Sequence, residues 1–178
     1  EYMAAVLSNN MNDIKQVSFF MEECKRMSIS VLGPDVNESY YKFTVNDNNA
    51  IRFGMGAVKG VGSGAVNSII EGRQEKKYKS IFDLTKNIDL RAANKKAFDS
   101  LVYAGGFDSF KIKRSQYFAK EGSDLSYIEC MIKFGNKVKD SLDSNQFDMF
   151  GESAEASIQA PTPPDVEPWV TMELYATL

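Results

Sequence analysis

The chain has 178 residues, 43% of them apolar, a net charge of −3, two cysteines and no histidine. That apolar content supports one sizeable core or two small ones, and without histidine or a cysteine pair at ligand spacing no zinc centre is expected. No apolar run reaches membrane-spanning length and no signal peptide is visible; Cys24 and Cys130, far apart on apolar stretches, are expected to be buried free thiols in a reducing compartment, and the expected setting is cytoplasmic with no membrane partner.

Residues 1–27 read as two helices. Met3, Val6 and Leu7 make one apolar stripe, Asn9 to Asp13 break it, and Asn12 or Asp13 is a candidate N-cap. Ile14, Val17, Phe20, Met21 and Cys24 make the second stripe, with Phe19 off that face. The first stripe starts without a cap before it, and an element also begins at Trp169 without finishing, so a piece of a larger protein is expected. Ser28 to Leu32 is strand-like and stops at Gly33-Pro34. Tyr41, Phe43 and Val45 alternate with polar residues as in a half-buried strand. Asp47-Asn48-Asn49 turns the chain, and Ala50 to Phe53 returns as a second strand.

This hairpin leads into Lys59-Gly60-Val61-Gly62-Ser63-Gly64, a glycine-bracketed turn that opens into a helix with Ala65, Val66, Ile69 and Ile70 on one face. The first amides of a helix lack intrahelical partners and are free to meet an anion. No Gly-Lys-Ser/Thr ends the turn, so it is not a Walker loop. Its Gly-x-Gly-x-Gly spacing and the want of an acidic ribose partner make it a poor dinucleotide fingerprint. Two readings stay open on the turn alone: a tight connection between packed helices, or a grip on one phosphate. The Lys-Gly-Val-Gly core, with Val61 placed to tuck between its own helices, resembles the helix-hairpin-helix motif, which holds the DNA backbone without reading sequence.

Residues 72–79 form a polar, basic link. Ser80 caps a helix carrying Ile81, Phe82 and Leu84, with Asp83 in its first turn. After Ile88-Asp89-Leu90, a further helix runs through Lys95, Lys96, Phe98, Leu101 and Val102 to a left-handed C-cap at Gly105-Gly106. Arg91, Lys95 and Lys96 lie near this second helix-turn-helix, whose turn lacks the glycine pair. Beyond Phe107 come the basic run Lys111 to Arg114 and a long helix with Leu125, Ile128, Met131 and Ile132 on its packing face. Residues 151–168 are rich in Ser, Ala, Glu and Pro and read as an exposed linker. Just before them, Gln146-Phe147-Asp148-Met149-Phe150 is an apolar pentapeptide. It either folds back on the preceding helix or anchors in a partner's groove.

Charge is distributed unevenly. Residues 52–114 hold 13 Lys and Arg against 6 Asp and Glu, a local +7, while the rest of the chain holds 8 against 18, a local −10. A basic middle that coincides with the glycine turn predicts a local phosphate-binding surface. Any single lysine taken alone reads equally as part of a solvated face.

Three features in order resemble the alpha subunits of bacterial DNA polymerase III, the replicative C-family polymerases. They are Arg52 to Gly62, then Ala104-Gly105-Gly106-Phe107-Asp108-Ser109 with Arg114, then Gln146 to Phe150. Glu1 to Leu7 and Asp35-Val36-Asn37-Glu38-Ser39 are also similar to that family. The resemblance implies a mainly α fold with a small β hairpin and a tandem helix-hairpin-helix domain. Residues 1–32 would be the end of the fingers, 33–54 a β-hairpin connector, 55–143 the tandem domain, 144–151 a clamp-binding peptide, and 152–178 a linker and the start of another domain. It further implies double-stranded primer-template DNA, the sliding clamp and other replicase subunits as partners. DNA-backbone contacts would come from Lys59, Gly60, Val61, Gly62, Ser63, Gly64, Arg91, Lys95, Lys96 and Arg114. Clamp contacts would come from Gln146, Phe147, Asp148, Met149 and Phe150, with Met149 standing where leucine is commoner. The family's paired catalytic aspartates, which hold Mg2+ in the palm, have no counterpart here, so neither catalytic residues nor a metal is expected in this stretch and it is expected to be inactive alone. The rival reading is a protein-interaction module whose hairpins only pack. A nucleotide-cofactor domain is disfavoured by the missing alternation of strands and helices.

Overall fold

The computed structural model describes residues 1–120, 124–143 and 161–169. Pentapeptide 146–150, residues 151–160 and residues 170–178 lie outside the described residues. Two apolar clusters divide the chain.

The first cluster is built by α1 (Tyr2–Asn9), α2 (Ile14–Arg26) and a small sheet. Asp13 opens α2 as its N-cap, its carboxylate accepting the amides of Lys15 and Gln16. Val17 and Cys24 face inward with Met3, Ala4 and Leu7, while Ile14 and Phe19 stay exposed. The sheet has three strands, β1 (Val31–Leu32), β2 (Thr44–Val45) and β3 (Ile51–Arg52), in the order β1-β3-β2. The expected hairpin is β2–β3, antiparallel; β1 joins β3 in parallel. A parallel partner is set by chain crossing rather than by a local turn, so sequence pattern alone does not announce it.

The second cluster belongs to five helices: α3 (Ser63–Gly72), α4 (Ile81–Asn87), α5 (Lys95–Ala104), α6 (Arg114–Phe118) and α7 (Tyr127–Asp143). Side-chain caps open two of them: Ser80 caps α4, as the sequence predicts, and Asn94, within the run read as helix, caps α5. Ser80 Oγ accepts the Asp83 amide at 3.1 Å, and Asn94 Oδ1 accepts that of Ala97 at 3.1 Å. Gly105 ends α5 at φ 87°, returning its amide to Val102 while Gly106 returns to Leu101. Ser68 Oγ, on α3, accepts the Asp89 amide at 2.7 Å and so ties the loop before α5 to α3. Helices α4 and α7 cross closely at Gly135, where a Cβ would lie 2.9 Å from the Thr85 carbonyl.

The two clusters are stitched through the loop between β1 and β2. Val36 buries its side chain in the second cluster and donates its amide to the Gly106 carbonyl at 3.0 Å. Arg73 donates to the carbonyls of Val36 and Ser39 at 2.5 and 2.6 Å and lies 5.1 Å from the centre of the Tyr40 ring. Arg52 binds the Gly33 carbonyl and pairs with Glu38. Two cations of the basic block therefore hold this loop in place.

The stretch 161–169 differs from the expected exposed linker. It has no regular secondary structure, yet it lies against α5, α6 and the start of α7, with Pro164 buried.

Candidate nucleic-acid interface

The glycine turn is shaped by one buried side chain and one left-handed backbone. A short 3-10 turn, Met55–Ala57, precedes it, and the Val61 amide returns to the Val58 carbonyl at 3.1 Å. Val61 is buried in the second cluster beside Ala65 and Val66, as the hairpin reading requires. Gly60 takes φ 92°, a conformation that costs an ordinary residue about 1–2 kcal/mol. Gly62 stands in ordinary extended backbone at φ −83°, ψ 162°, as the N-cap of α3.

The opening turn of α3 is bare. Gly62, Ser63 and Gly64 are exposed, no side chain caps the helix, and its first turn carries no acid. Among the described residues no acceptor meets the amides of Ser63, Gly64 or Ala65. These donors point outward from the positive end of the helix macrodipole, which favours an anion.

Helix α5 brings its own N-terminus alongside. A Cβ on Gly60 would meet Ser100 Oγ at 2.8 Å and Lys96 Cε at 3.5 Å, and one on Gly64 would meet the Ala92 Cβ at 3.8 Å. The turn thus packs backbone-first against α5 and the loop before it, and Lys96 lies against Gly60. Lys59, Gly60, Gly62, Ser63, Gly64, Arg91, Ala92, Asn94, Lys95 and Lys96 are all exposed. Two lysines in the first turn of α5 oppose its macrodipole, an arrangement that local stability does not favour and that a bound anion relieves.

The cations are not equivalent. Lys95 donates to the Asp99 carboxylate at 2.9 Å, and that hydrogen bond raises its pKa. Among the described residues no ion pair engages Lys59, Arg91 or Lys96. Arg114 sits elsewhere, at the far end of α5. It forks onto Asp108, with Nε and Nη2 at 3.0 and 2.5 Å from the two oxygens, and Nη1 donates to the Tyr103 carbonyl at 3.0 Å. The Asp108 hydrogen bond raises its pKa further. A Cβ on Gly105 would displace its guanidinium, and the positive φ there favours glycine.

The structure therefore gathers Lys59 through Gly64 with Arg91, Lys95 and Lys96, and leaves Arg114 apart as a clamp on the end of α5. Ala92 and Ser100 also belong to the patch, as its small contacts beyond the residues expected from the sequence. Ser100 stands four residues after Lys96, on the same face of α5, and that spacing was the available signal. Among the described residues no three His, Cys, Asp or Glu side chains converge as metal ligands. No described helix is long and apolar enough to cross a membrane.

Residues 28–117 match the family model described as the helix-hairpin-helix motif. The DNA polymerase III subunit alpha of Vibrio cholerae is 35% identical over 157 residues, 88% of this chain and 13% of that protein. The subunit of the same name from Pseudomonas fluorescens is 37% identical over 158 residues, 84% of this chain and 14% of the relative. That from Escherichia coli K12 is 35% identical over 156 residues, 87% and 13% respectively. The chain thus spans about one-eighth of the length of these relatives.

Proposed function

The chain belongs to the helix-hairpin-helix family, and on that premise we propose that it is the duplex-holding segment of a replicative DNA polymerase alpha chain, gripping the DNA backbone without reading bases. The observation that carries this reading is the bare N-terminus of α3, set beside Lys59, Arg91 and Lys96 with no acceptor of its own. Amides and cations of this kind position a phosphate and carry no sequence information. The similarity to polymerase alpha subunits supports DNA replication as the process.

The parent enzyme would be a DNA-directed DNA polymerase in the cytoplasm that uses Mg2+ in a palm domain, acting with other replicase subunits. Residues 146–150 would dock on the sliding clamp. Deleting them should abolish clamp binding and leave duplex binding intact.

Charge reversal tests the patch. By fluorescence anisotropy on a labelled duplex, Lys59→Glu with Lys96→Glu should weaken binding far more than Lys76→Glu with Lys77→Glu. The second pair is equally exposed but lies past the other end of α3, about 15 Å away at the helical rise. Equal losses would reduce the patch to diffuse attraction and sink the site.

A further inference from the structure

Residues 161–169 contain four prolines, Pro161, Pro163, Pro164 and Pro168, followed by Trp169, the sole tryptophan of the chain. A segment this rich in proline has little backbone freedom to lose on docking. Three of its carbonyls are taken by side chains of the domain. Tyr127 Oη donates to Pro161 O at 3.4 Å, Gln116 Nε2 to Pro164 O at 2.6 Å, and Lys113 Nζ to Val166 O at 3.2 Å. Pro161 and Pro164 are three residues apart, one turn of a polyproline helix, so their carbonyls can address the same face. Gln116 is itself oriented, because its Oε1 accepts the Lys113 amide at 2.8 Å. Trp169 completes an aromatic pile. Its ring centre lies 5.5 Å from that of Tyr103 and 5.3 Å from that of Phe118, stacked on both, and those two stack on each other at 4.6 Å.

We propose that Tyr103, Lys113, Gln116, Phe118 and Tyr127 form a docking surface whose occupant is this chain's own proline-rich segment, 161–169. The mode is the one by which aromatic-lined faces take extended proline-rich peptides, with polar side chains on the carbonyls and a large ring in the aromatic site. Docking sets Trp169 beside Tyr103, the penultimate residue of α5, about 12 Å along the helix from Lys95. The path of the chain past the domain is thereby tied to the helix that carries the cationic patch, at its opposite end. The two surfaces share a helix but no residue.

The sole tryptophan makes this testable in the full chain, excited at the red edge where tyrosine does not absorb. Acrylamide should quench native Trp169 several-fold less than it quenches the denaturant-unfolded chain. Gln116→Ala and Phe118→Ala should each raise quenching toward the unfolded value and shift the emission to the red. Duplex affinity, read in the same samples, should stay unchanged, which separates this surface from the glycine-turn patch. Native quenching equal to that of the unfolded chain would overturn the proposal. So would protection that neither substitution alters. Protection that appears only with rising protein concentration would assign the occupant to a second copy and overturn the intrachain assignment.

Discussion

Gly62→Asp separates binding from stability, because the two should move in opposite directions. Gly62 already has ordinary backbone dihedrals, and a Cβ built on it meets nothing within 4 Å. The new side chain therefore enters open space at the N-cap of α3. Its carboxylate can accept the amides of Gly64 and Ala65, which is worth a few tenths of a kcal/mol over glycine. Loss of glycine's freedom in the unfolded chain adds about 0.4–1 kcal/mol, and the charge–macrodipole interaction a similar amount. The sum is a gain of about 1–2 kcal/mol, or about 2–8 °C in melting temperature for a chain of this size. The same carboxylate occupies the amides offered to a phosphate and repels it. Losing one charge-assisted contact of about 2 kcal/mol weakens binding about 30-fold. Thermal melts and duplex anisotropy on one preparation read both effects. A folded variant that binds the duplex as tightly as the parent would refute the assignment of these amides to a phosphate.

Gly60→Ala should destabilise the fold by about 1–3 kcal/mol, since a positive φ and the 2.8 Å approach to Ser100 Oγ are both penalised; denaturant titration checks this, and adding Ser100→Ala, which removes only the hydroxyl, should recover part of the loss. Arg114→Ala should cost about 2 kcal/mol by removing the Asp108 fork and the Tyr103 carbonyl bond, while the salt dependence of duplex binding stays as in the parent. Burial pushes the Tyr78 phenol up to about 12, and its hydroxyl donates to the Ile69 carbonyl at 2.7 Å. The unfolded chain then releases this proton first, so stability is full below pH 10 and falls as pH rises toward about 12, by about 3 kcal/mol. Urea melts across that range should show the decline in the parent chain and a shallower one in Tyr78→Phe.

What the sequence disclosed was local. Asp13 and Ser80 are caps because a short polar side chain beside a helical stripe has one favourable place to go. Gly105 marks the end of α5 for the equally local reason that a left-handed residue is needed there. The glycine turn, its buried Val61 and its helix were legible in the same way. What stayed hidden depends on residues distant in the chain. Nothing near Val31 announces its parallel pairing with Ile51. Counting charge located the basic block but did not show that Arg52, Arg73 and Arg114 spend theirs inside the fold while Lys59, Arg91 and Lys96 do not. Proline content marked 151–168 as a linker, and the contacts of Gln116, Phe118 and Tyr103 that receive its described part come from helices that composition cannot bring together.

Phosphate holding of duplex DNA at the paired helix ends is the core of the proposed function. Its most direct test is the affinity of the full chain for two duplexes of unrelated sequence, measured across a series of salt concentrations. With Lys59, Arg91 and Lys96 each displacing a counterion, the plot of log affinity against log salt should fall with a slope of about −3, the same for both duplexes. Lys59→Glu with Lys96→Glu should flatten that slope by about 2. A slope near zero, or one that differs between the two sequences, would contradict backbone holding by this patch.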